Sequence, residues 1–333
     1  MAKIVTIGGG TGQYTLLSGL ATYPDLELTA ICPISDSGGN TGQYLGKKLR
    51  PLVGERGQLL PPGDIGKCLL ALSSPVLQER LMHRVKGVKE LENYNAINAL
   101  LVAFWQLTGD FLKAIAAVSE ILASVGQVLP VALARANLVA DLANGQKIKG
   151  EEAIYNRLNC YQGRCLAAPI KKLYLQPSSL GPLPSVLRAI GQAGLVVIGP
   201  GCLPSSIIST LLVPGITSAL KKTKAKKVYL ANVMAHFGEQ PDFKLSSFVL
   251  ELEKYLGFKV DTIVANTERP ADSVLQKYWR QDKAKMVKID LAKNWQGRQI
   301  ITAPLLVKST SVQFKDYARH DAAKLAKLVK SLI

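Results

Sequence analysis

The sequence predicts an α/β protein: one body of alternating strands and helices with a mostly parallel sheet, interrupted by an inserted helical and hairpin segment. Three observations carry this class. Ala2-Lys3-Ile4-Val5-Thr6-Ile7 is apolar and β-branched, runs straight into Gly8-Gly9-Gly10-Thr11-Gly12, and is followed by Leu16, Leu17 and Leu20 at helical spacing, which reads as strand, tight turn, helix. Leu195-Val196-Val197-Ile198 has no polar member, as in a strand buried on both faces of a parallel sheet, and it also ends in a glycine turn, Gly199-Pro200-Gly201. From there to the C-terminus strand and helix patterns alternate, whereas residues 78–123 read as helix throughout.

The first turn has the chemistry of a phosphate site. Glycines let the backbone approach an anion, and the unpaired N–H groups at the start of the next helix favour negative charge. The dinucleotide spacing is met by Gly8 and Gly10 only, because Gln13 stands where the third glycine belongs, and no Gly-Lys-Ser/Thr follows. A tight turn without a ligand is the alternative. Residues 26–34 then alternate as a second strand and deliver Ser35-Asp36-Ser37-Gly38-Gly39 to its carboxyl end, where open α/β sheets bind ligands. Asp36 stands either where an acidic residue takes a ribose hydroxyl or simply as the cap of a turn. In Leu60-Pro61-Pro62-Gly63-Asp64-Ile65 the prolines and glycine forbid helix, and Asp64 is the expected N-cap of the helix that follows. The same helix start is also placed to close over a ligand.

Residues 128–133 and 138–142 read as strands, and Asn144-Gly145 is a type I′ hairpin signal. The helical insert is thus expected over about 78–125 and the hairpin over about 128–150, with no βαβ unit in the middle of the chain. Residues 156–170 show no periodicity. Strands follow at 228–233, 260–265 and 286–290, helices at 243–256 and 271–279, and a basic amphipathic helix from Asp321. With no repeat or linker, residues 1–333 are read as one domain.

Composition narrows the function classes. At 333 residues and 48% hydrophobic content the chain can bury a large core. The net charge of +17 is spread along the sequence and is not interleaved with aromatics, which make up 6% of residues. It therefore points to a solvated surface around an anionic small-molecule site and away from nucleic acid. Cys32, Cys68, Cys160, Cys165 and Cys202 form no C-x-x-C pair, which argues against structural zinc and a disulfide framework. No apolar run reaches the roughly 18 residues of a spanning helix, and a strand occupies the N-terminus where a signal peptide would stand, so a cytoplasmic protein is expected.

Taken in order, these loops, together with Val128-Leu129-Pro130-Val131, Leu211-Leu212-Val213-Pro214-Gly215-Ile216 and Asn232-Val233-Met234, resemble the YvcK/CofD-like family over nearly the whole chain. The resemblance implies a Rossmann-like three-layer α/β/α sandwich and a homodimer. It implies a regulator of the gluconeogenesis-factor (YvcK) type, binding a UDP-sugar or NAD-like nucleotide and acting in carbon metabolism and cell shape. The other activity it implies is 2-phospho-L-lactate transfer onto a deazaflavin precursor. In the first reading Gly8, Gly9, Gly10, Thr11 and Gly12 cradle the diphosphate and Asp36 takes a sugar hydroxyl. Ser37, Gly38, Gly39, Gly63 and Asp64 line the opposite wall, and Gly199, Pro200, Gly201 and Asn232 form the floor. In the second, Asp36 and Asp64 are catalytic, with Asp36 on Mg²⁺. The chain departs from the family at Ser37 in place of a second aspartate, at Gly66-Lys67 in place of Arg-Asn, and at Tyr94 in place of histidine. A lost carboxylate weakens a hard-cation site, so the departures bear on transfer more than on nucleotide binding.

Overall fold

The computed structural model describes residues 1–35, 59–82, 95–156, 168–307 and 317–333. Asp36, Ser37, Gly38, Gly39, Tyr94, Cys160 and Cys165 lie outside the described residues. β1 (Ala2–Ile7), α1 (Gly10–Leu20) and β2 (Leu26–Cys32) open the chain. Among the described residues, α2 (Pro62–Ala71), α3 (Pro75–Met82), α4 (Ala96–Thr108) and α5 (Phe111–Ile121) come next. β3 (Gly126–Pro130) then pairs parallel with β2, Leu28 beside Gly126 through Cys32 beside Pro130.

A small antiparallel sheet in the order β5-β4-β6 comes from β4 (Asn137–Leu142), β5 (Lys147–Lys149) and β6 (Ile170–Gln176), with α6 (Glu151–Asn156) between the last two. α7 (Pro184–Gln192) leads to β7 (Leu195–Ile198), a π-helical turn over Leu203–Ile208, α8 (Ser209–Leu211), α9 (Ile216–Lys222), β8 (Lys226–Leu230) and β9 (Met234–His236). The chain closes with α10 (Leu245–Leu256), β10 (Thr262–Asn266), α11 (Asp272–Asp282), β11 (Ala284–Met286), β12 (Asn294–Trp295), β13 (Arg298–Ala303) and α12 (Ala322–Lys330).

The main sheet runs β12-β13-β10-β8-β7-β1-β2-β3, parallel except for β12. From β1 the chain steps outward through β2 to β3, then returns to β7 on the other flank of β1 and steps outward the opposite way. This is the Rossmann-like order expected above. Helices cover the sheet: α1 packs against α2 and α12, and α7 against α9. All four residues of β7 are buried, which explains its unbroken apolar sequence. Leu16, Leu17 and Leu20 are fully buried under α1. Each contributes about 2 kcal/mol by burial, and this anchors a helix whose N-cap, Gly9, has no side chain to cap with. Among the described residues no single helix is long and apolar enough to cross a membrane.

The structure differs from the sequence reading at several elements. Residues 128–130 belong to the parallel edge strand β3, so β2, the helices and β3 do form a long crossover unit. The hairpin proper is β4–β5. Its turn is not type I′: Gly145 has φ +85°, Asn144 is not left-handed, and the Gly145 N–H donates to the Leu142 carbonyl. This is a type I turn closed by a left-handed glycine. β6 pairs with β4 from a stretch the sequence reading left without structure, and β13 flanks β10 where no strand was expected. The strand placed near residue 286 is β11, which pairs antiparallel with β9 outside the main sheet.

A buried ion pair ties α10 to β13. Arg298, 2% exposed, donates from both Nε and Nη2 to the two carboxylate oxygens of Glu253, and its guanidinium lies 4.5 Å from the Trp295 ring centre. Glu253 also accepts the Val260 N–H at 3.0 Å. Removing one partner strands a charge in the interior. Glu253→Ala should therefore cost about 3–5 kcal/mol in urea unfolding. A loss under about 1 kcal/mol, the size of a surface pair, would show that the pair is solvated.

Candidate functional site

The order of the sheet reverses between β1 and β7, where the two strands end level with each other, Ile7 beside Ile198. Such a reversal opens a crevice beyond the carboxyl ends of the strands. The Gly199 N–H donates to the Ile7 carbonyl at 2.8 Å, carrying the ladder one step past β7, so the turns Gly8–Gly12 and Gly199–Gly201 leave the sheet side by side. Their spacing needs glycine at position 12. A Cβ on Gly12 would stand 2.6 Å from the Pro200 carbonyl oxygen, and one on Gly201 3.4 Å from the Gly9 oxygen. Gly10 has φ +67° with open space on its Cβ side, a conformation that suits glycine and leaves the mouth of the turn clear.

The N-terminus of α1 is capped from a distance. Asp64 accepts the Gly10 N–H at 2.8 Å, across 54 residues of sequence. The expectation that Asp64 N-caps its own helix is corrected here: α2 begins at Pro62 with Pro61 as N-cap, and Asp64 sits inside its first turn. The rigid proline entry starts α2 without a side-chain cap and frees the carboxylate to reach α1. The packing is tight, since a Cβ on Gly9 would lie 2.1 Å from Asp64 Oδ2. Two helix N-termini thus share one carboxylate, which suits both dipoles, and Lys67 Nζ stands 4.0 Å from it. The helix ladder itself leaves the N–H groups of Thr11 and Gly12 without an intrahelical acceptor. Thr11 is exposed at the mouth, while Gly63 is buried within α2.

Asn232, expected on the floor, holds the second turn. Its amide accepts the Gly201 N–H at 2.9 Å and donates to the Gly201 carbonyl at 2.8 Å. Gln13 takes no part at the surface either: it is fully buried and donates to Thr6 Oγ1 at 2.7 Å, which is why a glutamine replaces the third glycine. Asn98 is 5% exposed, and its Oδ1 has no hydrogen-bond partner among the described residues. A Cβ on Gly66 would lie 2.6 Å from that oxygen, so a larger residue at position 66 would collide with Asn98 as it stands. The structure therefore brings Gly8, Gly9, Gly10, Thr11, Gly12, Asp64, Gly199, Pro200, Gly201 and Asn232 to one end of the sheet.

Sequence reasoning missed the small neighbouring cleft lined by Glu151, Tyr155, Cys202, Ser205, His236 and Glu239. The His236 ring stacks on Tyr155 at 4.6 Å, and its Nδ1 accepts the Gly238 N–H at 3.1 Å. Burial pushes the thiol of Cys202 and the phenol of Tyr155 up. The available signal was local, since Cys202 and Ser205 directly follow the second glycine turn. Among the described residues no group of three or more His, Cys, Asp or Glu side chains is placed to hold a metal ion. Asp64 is the one expected metal-type or catalytic carboxylate that is described, and it faces a backbone N–H and a lysine.

The contact between the turns makes a direct test. Gly12→Ala presses a methyl against the backbone of Pro200 and should cost about 1–3 kcal/mol by chemical unfolding. Gly9→Ala presses a methyl into the Asp64 carboxylate that caps α1 and should cost a similar amount. Equal, negligible effects at both positions would show that the turns are not in contact.

The chain is similar to known proteins over its whole length. The family model described as 2-phospho-L-lactate transferase CofD matches residues 4–306. The gluconeogenesis factor of Bacillus subtilis strain 168 is 34% identical, covering 99% of this chain and 98% of the relative, and that of Halalkalibacterium halodurans is 33% identical, covering 98% and 95%. A crystallised Bacillus halodurans protein superposes with a TM-score of 0.84 at 32% identity, covering 99% of both chains. It is also described as a member of the UPF0052 family. A match of this extent establishes that the chain belongs to the CofD family, on the branch of the YvcK-type gluconeogenesis factors.

Proposed function

We propose that this protein is a nucleotide-binding regulator of the YvcK type, taking a UDP-sugar across the β1/β7 crevice and acting in carbon metabolism and cell shape. The supporting observation is the start of α1. Its Thr11 and Gly12 N–H groups face the mouth of a turn whose side chains are absent, directly beside Gly201. A diphosphate fits there because anions favour helix N-termini and glycine permits close approach. The relatives' names support the role in carbon metabolism, and the resemblance supports the UDP-sugar.

Asp64 favours a second reading. A carboxylate at the mouth of an anion site is a natural partner for Mg²⁺ bridging to phosphate, as phosphoryl-type transfer requires. The hydrogen bond from Gly10 and the neighbouring Lys67 account for the carboxylate without a metal, and for that reason the regulator is preferred.

Isothermal titration with a UDP-sugar, NAD and GTP, each with and without Mg²⁺, separates the readings. The UDP-sugar should bind without Mg²⁺. Asp64→Asn keeps an acceptor for Gly10 but removes a charge beside the phosphates, so it should tighten Mg²⁺-free binding roughly fivefold, about 1 kcal/mol of relieved repulsion. Binding that needs Mg²⁺ and weakens in Asp64→Asn supports the transferase. No heat from any of the three with folded protein refutes nucleotide binding.

A further inference from the structure

The crevice occupies the carboxyl edge of the sheet, and the opposite edge, where the strands begin, carries concentrated positive charge. Lys221-Lys222-Thr223-Lys224-Ala225-Lys226-Lys227 puts five lysines into seven residues. They run from the end of α9 through the connection into β8, whose first residue, Lys226, is level with Leu195, the first of β7. Lys259 stands just before β10 on the same edge, with its Nζ donating to the Gln296 carbonyl in the β12–β13 turn at 3.0 Å. The Asp261 N–H donates to the Lys227 carbonyl, which keeps the two strand starts together.

Little negative charge offsets this stretch, and the acids at the start of β2 on the same edge, Asp25 and Glu27, are taken by Lys330 and Lys3. Lys221, Lys222, Lys224 and Lys259 are exposed, Lys226 and Lys227 partly so. None of the six forms an ion pair among the described residues. The nearby Asp261 carboxylate accepts the Lys227 backbone N–H at 2.7 Å, and Glu253 is held by Arg298. Complementing a helix dipole explains Lys221 and Lys222 in the last turn of α9. It does not explain Lys224, Lys226, Lys227 or Lys259, which lie beyond the helix.

We propose that this lysine edge docks the protein onto an anionic phospholipid surface. Every cation of the cluster is lysine, with no arginine and no exposed aromatic in the run. Proteins that read bases use arginine forks, and single-strand binders use aromatic platforms. Compact ammonium charges on flexible stems instead suit a fluid array of headgroups, where each adds its share of attraction. Docking by the amino edge leaves the crevice at the carboxyl edge facing solvent.

The test is co-sedimentation of the full chain with vesicles of phosphatidylcholine containing about 30% phosphatidylglycerol, near the anionic content that gives such surfaces their potential. Pure phosphatidylcholine vesicles and a duplex and a single-stranded oligonucleotide form the other arms. Wild type should bind the anionic vesicles at low salt, ignore the neutral ones, and be released as added salt screens the charges. At roughly fivefold per lysine, the triple variant Lys221→Glu/Lys222→Glu/Lys224→Glu should lose about 100-fold or more. The triple Lys113→Glu/Lys149→Glu/Lys244→Glu, equal in charge but off this edge, should stay close to wild type. Circular dichroism checks folding, and Lys224→Glu alone, with about a fivefold loss, replaces the triple if that variant fails to fold. No binding to anionic vesicles at low salt overturns the proposal, and so does equal loss in both triples. Tighter oligonucleotide binding through the same lysines would reassign the edge to nucleic acid.

Discussion

A single hydrogen bond organises the carboxyl edge of this sheet. α1 begins on glycine and has no side chain with which to cap itself, so the Gly10 N–H is taken by Asp64, which arrives from the first turn of another helix. The bond fixes where α2 starts relative to α1, and α4 packs on α2 in turn. It also sets the electrostatics. The positive ends of two helices converge on one carboxylate, so an anion entering the turn shares the helix end with a charge already there. The same bond serves the fold when no ligand is bound and sets a limit on what the site accepts.

Close approach is the second constraint. Gly9 and Gly12 stand where a Cβ would collide with Asp64 or Pro200, and Gly201 packs against the Gly9 backbone. Asn232 clamps Gly201 through both ends of its amide. These glycines are there for packing between turns, and only Gly10, with open space beside it, is shaped for a ligand's approach. A residue predicted as a ligand contact can thus belong to the site by holding it: Asn232 and Gly12 position the turns, while Thr11 and the start of α1 face the mouth.

The parts of the fold visible in the sequence are those with a local signature. β1 and β7 are apolar runs ended by glycine, the insert has helical periodicity, and α12 starts at Asp321, whose carboxylate accepts the Lys324 N–H as an N-cap should. The missed elements lack such signatures. β13 mixes Arg298, Gln299 and Thr302 into its strand because Arg298 satisfies its charge on Glu253, 45 residues away. β6 carries Lys172 on the exposed side of its small sheet and Lys171 at a bulge, where the pairing skips from Ile170 to Lys172. β3 looked like half of a hairpin because nothing local tells an edge strand of one sheet from that of another. For the site, the glycine turns were legible and the partner of Asp64 was not, since a cap supplied from 54 residues away leaves no trace in spacing. Asp36 and its loop lie outside the described residues, so their expected part in the site stands on the sequence alone.

The central claim is that a phosphate-bearing ligand binds at the start of α1 while Asp64 keeps its bond to Gly10. A crystal structure of the chain with a UDP-sugar tests this most directly. The account predicts phosphate oxygens about 3 Å from the N–H groups of Thr11 and Gly12, with Asp64 still on Gly10. Phosphates bound elsewhere, or an Asp64 carboxylate turned away from Gly10 onto a metal ion, would contradict it.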